Sequence, residues 1–176
     1  MKGMQIKRDD LASVISSINT LVTKSVLVGI PATEAARDDG MDNASLGYLH
    51  EHGSPANNIP ARPFLIPGVA NAQDRYEPHL EKAAKAALAG QRKKINDELH
   101  AAGIIASGSA KDEINSGNFE PLKLSTLRAR ARRGRKGAQA ELASRAAGNA
   151  PNPENARPLI DTGQLRNSLT YILRGE

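Results

Sequence analysis

The sequence predicts an α+β domain in which a small antiparallel or mixed sheet packs against a long helix, with further short helices and long loops. Three observations carry that reading: helical spacing of apolar residues near the N-terminus, a long alanine-rich helical stretch in the middle, and two short strand-like runs far apart in the chain, the first β-branched and the second alternating. At 176 residues the chain has the length of a single domain, 1–176, large enough to bury a real core. It has no Cys and no Trp, and aromatics make up only 3%, so the core must be built from Leu, Ile, Val and Ala. Without cysteine, disulfide frameworks, thiolate zinc sites, iron–sulfur clusters and cysteine nucleophiles are excluded.

Leu11, Val14, Ile15, Ile18, Leu21 and Val22 fall at helical spacing, with Asp9 or Asp10 as the expected N-cap. Ser25 to Ile30 is a β-branched run stopped by Pro31 and reads as a buried strand. A loop over Thr33 to Asp42 leads to a short helix capped by Asn43, which carries Leu46 and Leu49 and ends at Gly53. Pro55, Asn57, Asn58, Pro60 and Pro63 make Ser54 to Pro67 a region of turns. The long helical stretch comes after Gly68, with Leu80, Ala84, Ala87, Leu88, Ile95 and Leu99 expected on one side. Pro78 belongs in its first turn or at a kink, Gly90 should break or bend it, and Gly103 should stop it before a separate short helix over Ile104 to Ile114. Gly117-Asn118 marks a turn, Ser125 is the expected cap of a helix over Thr126 to Arg133, and Gly134 and Gly137 should end it. Residues 137–158 are expected as a flexible loop insert, with at most a marginal helix over Gln139 to Ala147. A capped helical turn and a strand over Leu169 to Leu173 complete the chain, and that strand should pair with the first one under the long helix.

The charge is unevenly spread. Of the 24 Lys+Arg and 19 Asp+Glu, eight basic residues and the single acid Glu141 lie between Leu122 and Gly148, leaving a net charge of −2 elsewhere. Such a segment suits phosphate or an acidic protein surface, yet it has no interleaved aromatics for base stacking and no recognition helix behind a tight turn. The residues also fail to form a catalytic set. His50 and His52 flank Glu51, but side chains two apart point to different faces of a helix, so metal binding there is disfavoured. Arg133-Gly134-Arg135-Lys136-Gly137 lacks the spacing of a phosphate loop, and neither Ser168 nor Thr162 has an evident base. No enzyme activity and no cofactor are expected, and no apolar run has the length of a secretion signal or a membrane span.

Three segments in order carry a resemblance: Leu46 to Ser54 with Ile59-Pro60-Ala61-Arg62-Pro63-Phe64-Leu65-Ile66-Pro67 after it; Glu120 to Arg130; and Arg157-Pro158-Leu159-Ile160-Asp161-Thr162-Gly163-Gln164-Leu165-Arg166-Asn167-Ser168-Leu169-Thr170-Tyr171. Together, from about Val26 to Tyr171, the chain resembles the tail-completion or neck (head–tail connector) proteins of long-tailed double-stranded DNA bacteriophages, departing from them in the Pro/Asn-rich stretch around Asn149 to Asn155. The resemblance implies a structural virion protein, assembled in the host cytoplasm, whose ring completes the tail or joins it to the head. The ring would be a hexamer or, alternatively, a dodecamer. Its implied partners are copies of itself, head connector or stopper proteins, tail terminator or tail tube proteins, and the genomic DNA in the channel, with no membrane. A tail terminator or minor tail protein, and a basic nucleic-acid-binding accessory protein, are the alternative readings.

Within that frame Arg62, Arg128, Arg130, Arg132, Arg133, Arg135 and Lys136 are the candidate docking residues. Gly53, Pro60, Pro63, Phe64, Asp161, Thr162, Gly163 and Leu165 are the candidate structural motif residues. Pro60 and Pro63 should hold the chain extended so that Arg62 can meet a carboxylate or a helix C-terminus, while Phe64 and Leu65 anchor the long helix to the sheet. Asp161 or Thr162 should accept from the free amides of the helical turn after it, with Gly163 allowing close approach.

Overall fold

The computed structural model describes residues 11–32 and 40–175. The expected cap at Asp9 or Asp10 and most of the loop over Thr33 to Asp42 lie outside them. The fold is α+β: helices α1 (Leu11–Val22), α2 (Asn43–His52), α3 (Leu65–Ala70), α4 (Gln73–Leu88), α5 (Arg92–Ser116), α6 (Leu124–Arg132), α7 (Lys136–Ala146) and α8 (Gln164–Ser168), with strands β1 (Lys24–Gly29) and β2 (Thr170–Gly175). The two strands pair as a two-stranded antiparallel sheet. The length of the chain suggests a single domain, whereas the residue contacts group into two compact units.

The first unit holds residues 11–28, Asn71–Ala106 and 171–175. Its core is Ala83, Ala86, Ala87, Ile95 and Leu99, against which Ile18, Leu21, Val26 and Leu173 pack. The expected strand pairing is therefore present, with Val26 and Leu173 packed against the core to which α5 contributes Ile95 and Leu99, although β1, expected as a buried strand, has no fully buried position. The buried faces match expectation at Ile18, Leu21, Ala87, Ile95 and Leu99 and differ from it elsewhere. α1 packs on α4, and the fully buried positions of this pair are the small residues Ser17, Ala83, Ala86 and Ala87. Small side chains let two helices approach closely, which turns the larger residues Leu11, Ile15, Val22, Leu80 and Leu88 outward.

The long helical stretch breaks at Gly90, as the sequence predicts. The amides of Gly90 and Gln91 bond back to the carbonyls of Ala87 and Ala86, a Schellman ending that needs the positive φ of 70° at Gly90. α6 and α7 end the same way at Gly134 and Gly148. Pro78 sits inside α4, one turn later than expected, on its exposed side.

Gly103 does not stop a helix: α5 runs through it, and Ile104 to Ile114 is part of the same 25-residue element. The glycine serves packing, since a Cβ at 103 would collide with the Tyr171 ring at Cδ2. That ring fills the notch, packs edge-on to His100, and places its hydroxyl 3.1 Å from His100 Nδ1.

The second unit holds residues 29–32, 40–70 and Ser107–Thr170. Phe64, Ala110, Ile114, Phe119, Leu159, Leu165 and Leu169 form one core cluster, and Leu122, Leu127, Ala138 and Ala156 form a second. α2 is capped by Asp42, whose carboxylate accepts from the Ser45 amide at 2.7 Å, rather than by Asn43. α6 begins at Leu124, ahead of Ser125, and takes no side-chain cap. The stretch expected as a loop insert, 137–158, is helical in its first half. Gly137 lies in the first turn of α7 instead of ending α6, and a Cβ there would collide with the Asn155 carbonyl oxygen.

These contacts give opposite signs to two glycine substitutions in one helix. Gly103→Ala should destabilise by about 1–3 kcal/mol, as the methyl displaces the Tyr171 ring. Gly108→Ala, whose new methyl meets no other atom, should stabilise by up to about 1 kcal/mol through helix propensity. Urea unfolding of both variants checks the pair.

Candidate functional site

The second unit contains a cavity of about 330 Å³ whose wall is drawn from all three segments of the resemblance. Pro60 and Arg62 come from the first, Lys123, Thr126 and Arg130 from the second, and Pro158, Asp161, Thr162 and Gly163 from the third. Leu46, Ile59, Leu122 and Leu165 supply apolar wall.

The segment bearing Arg62 is built by a chain of backbone constraints. Gly53, at φ 73°, ends α2 and turns the chain so closely that a Cβ would be 2.7 Å from the Ala61 amide nitrogen. Ser54 and Ile59 then bridge, and the Arg62 amide donates to the His50 carbonyl at 2.6 Å. From Pro60 to Phe64 the chain is neither helix nor strand, as the two prolines require. The helix that Phe64 and Leu65 open is the six-residue α3 rather than the expected long one, and Phe64 packs against Ala110 and Ile114 in the second half of α5.

α3 has no Ser, Thr, Asp or Asn at its start. Its free amides are met by Glu51, which is buried and accepts from Phe64 N at 2.8 Å, Leu65 N at 2.9 Å and Ile66 N at 2.9 Å. In the sequence Glu51 stands out only as a neighbour of two histidines. The signal that could have found it is a helix start without a local cap. His52 lies against the Tyr48 ring, with centroids 4.4 Å apart, and His50 lines the cavity. Among the described residues no group of three or more His, Asp or Glu side chains is arranged to hold a metal ion.

Two of the candidate docking arginines are internal. Arg62 is 5% exposed and donates through Nε and Nη2 to the Glu120 carbonyl at 3.3 and 3.2 Å. Arg130 is 8% exposed and donates to three carbonyls: Arg157 at 2.8 Å, Ile160 at 2.9 Å and Pro158 at 2.7 Å. Neither presents a free surface, because each guanidinium is engaged with backbone outside the helices and the sheet. Burial pulls the pKa of both below the ordinary arginine range, yet an arginine stays charged throughout the working pH range.

Of the two acceptors expected at the start of α8, Thr162 takes that role and Asp161 takes another. The oxygens of Asp161 accept from Arg133 at 2.8 Å and Arg135 at 2.9 Å, while the amide start of α8 is served by Thr162, whose Oγ1 accepts from Gln164 N at 3.3 Å. A guanidinium pair outcompetes amides for a carboxylate because the bonds are charge-assisted. Gly163 precedes α8 at φ 82°, and Leu165 is buried in the core below. Arg128, Arg132 and Lys136 are exposed, and Arg135 and Lys136 border a shallower neighbouring cavity with Arg130 and Asp161.

The role of Glu141 is likewise not apparent in the sequence. It is fully buried on α7 and holds Arg145 at 2.7 Å, the Asn152 amide at 2.8 Å and Asn155 Nδ2 at 2.8 Å, tying the Pro/Asn-rich stretch to the helix. Burial raises the Glu141 carboxyl pKa, but the bonds from Asn155, Arg145 and Asn152 outweigh it, and the net displacement is below 4.5. No family model, curated protein or solved structure matches this chain.

Arg130→Lys should cost about 3 kcal/mol, since an ammonium cannot reach three carbonyls with a planar fork; thermal and urea unfolding measure it. A carboxyl whose pKa is lowered by folding stabilises above its unfolded value and loses that contribution as pH falls through the folded value. The stability advantage of the native chain over Glu141→Gln, measured by urea unfolding across pH, should therefore be present at neutral pH and shrink below about pH 4.5.

Proposed function

We propose that the chain is a structural virion protein of the phage head–tail junction, a subunit that assembles into a ring completing the tail or joining it to the head connector. The observation that carries this reading is the meeting of the three resemblance-bearing segments on one cavity, held by arginines that bond backbone. An arrangement whose charged groups are spent on fixing chain geometry suits a scaffold subunit more than a catalyst.

Two surfaces support assembly with neighbours. In the first unit, a sheet of only two strands leaves both outer edges without a strand partner among the described residues, and Leu27 and Ile172 on it are 43% and 49% exposed. On α1, Leu11 and Val22 are 63% and 72% exposed. A ring buries such surface between identical subunits through heterologous contacts. In the second unit, Arg128, Arg132 and Lys136 offer exposed positive charge for docking an acidic neighbouring protein.

Light scattering on a sizing column tests the reading. The expected result is a ring of six or more subunits whose mass does not respond to duplex DNA, and a Leu27→Glu, Ile172→Glu double variant that stays folded and monomeric. A monomer or dimer that binds duplex DNA at low salt and releases it steeply at high salt would instead favour the nucleic-acid-binding alternative.

A further inference from the structure

The cations that line the cavity in the second unit outnumber the carboxylates that line it. Four cations, Arg62, Lys123, Arg130 and Arg133, line it against one carboxylate, Asp161. That carboxylate is already taken by Arg133 and by Arg135 outside the cavity wall. For the other three cations, every hydrogen-bond partner among the described residues is a neutral oxygen. Arg62 has the Glu120 carbonyl, Arg130 has three carbonyls, and Lys123 has the carbonyl and the side-chain oxygen of Asn58, at 2.8 and 2.6 Å. Two of the three are more than nine-tenths buried. Buried charges are ordinarily matched by an opposite charge in direct contact, because carbonyl dipoles recover only part of the lost hydration; here the nearest opposite charges, the carboxylates of Glu120 for Arg62 and Asp161 for Arg130, act on them without a hydrogen bond.

We infer that this cavity is a binding site for a carboxylate side chain, carried on a partly apolar peptide segment of a partner protein. The lining matches that chemistry at both ends. Lys123, and the guanidinium nitrogens not bonded to carbonyls, Arg62 Nη1 and Arg130 Nε, offer charge-assisted donors to a carboxylate, and Leu46, Ile59, Leu122 and Leu165 offer apolar wall to a neighbouring aliphatic side chain. The volume of about 330 Å³ takes one acidic side chain and a short length of backbone. Nucleic acid fits less well: backbone phosphates of a duplex lie on a convex rod and are met by cations standing out from a surface, whereas Arg62 and Arg130 reach only a group that enters the cavity. The inference does not depend on ring formation. A chain that forms no ring would still take the peptide, and a ring could form without it.

Thr126 provides the sharpest variant. It lines the cavity, is exposed, and lies in the first turn of α6, so Thr126→Glu places a carboxylate at the cavity where the helix N-terminus also favours one. The experiment titrates the full chain with acetyl-Leu-Glu-Leu-amide, its glutamine counterpart, inorganic phosphate and a short DNA duplex. The arginine Nε–Hε resonances of Arg62 and Arg130 report occupancy, and calorimetry reports affinity. The glutamate peptide should shift both resonances and bind at least about tenfold more tightly than the glutamine peptide. Lys123→Gln should weaken that binding, and Thr126→Glu should abolish it while raising the melting temperature. Equal binding of the two peptides, or no shift with either, overturns the inference. Shifts produced by duplex or phosphate but not by the glutamate peptide also overturn it, and assign the cavity to nucleic-acid phosphate.

Discussion

A guanidinium removed from water needs acceptors for its N–H groups, and Arg130 finds three in the carbonyls of Arg157, Pro158 and Ile160. Much of the second unit depends on that contact. The acceptor segment contains Pro158 and comes after Pro151 and Pro153, so it has few amides with which to join a ladder and would otherwise have no fixed course. Held by Arg130, it delivers Leu159 to the core and carries Asp161 to Arg133 and Arg135. Arg62 applies the same chemistry to Glu120, and Glu141 applies its mirror image by gathering donors around a buried carboxylate. Each is a single side chain ordering a stretch of irregular backbone.

The aromatic-poor composition makes this reliance intelligible. One of the two clusters in the second unit is Leu122, Leu127, Ala138 and Ala156, which offers little area against the entropy of ordering the loops around it. Charge-assisted bonds to backbone supply the specificity that larger side chains supply elsewhere, and they also absorb much of the basic segment. Within it Arg130 is internal, Lys123 bonds Asn58, Arg133, Arg135 and Arg145 pair with carboxylates, and Arg128, Arg132 and Lys136 face solvent. A run of positive charge in a sequence thus has several separate fates in the fold.

The features legible in the sequence were local. Periodicity located α1, a β-branched run located β1 and an alternating run located β2, and Gly90 and Gly134 ended helices as expected, because each signal lies within a few residues of its effect. Where sequence and structure part, a partner far along the chain is usually the reason. Gly103 looked like a stop because its reason is Tyr171, and Gly137 looked like a stop because its reason is Asn155. The cap of α3 lies thirteen to fifteen residues earlier at Glu51, and on α1 the expected Ile18 and Leu21 do pack inward, while the one fully buried position is Ser17, which hydrophobic periodicity does not mark. At the cavity the sequence points to Arg62 and Arg130 but not to their burial, since charge alone does not distinguish an arginine that meets solvent from one that holds carbonyls.

The pairing of β1 with β2 also has a consequence for the order in which the protein comes into being. β1 is near the beginning of the described residues and β2 at their end, and the first unit is assembled from three separate stretches with the second unit's residues threaded between them. During synthesis nearly all of the second unit is available to fold before Tyr171 and Leu173 emerge. Until then Val26 and the notch at Gly103 wait without the residues that cover them. The nascent chain therefore passes through a long interval with a lone strand and an open helix groove, a state that invites chaperone attention or premature pairing with another copy.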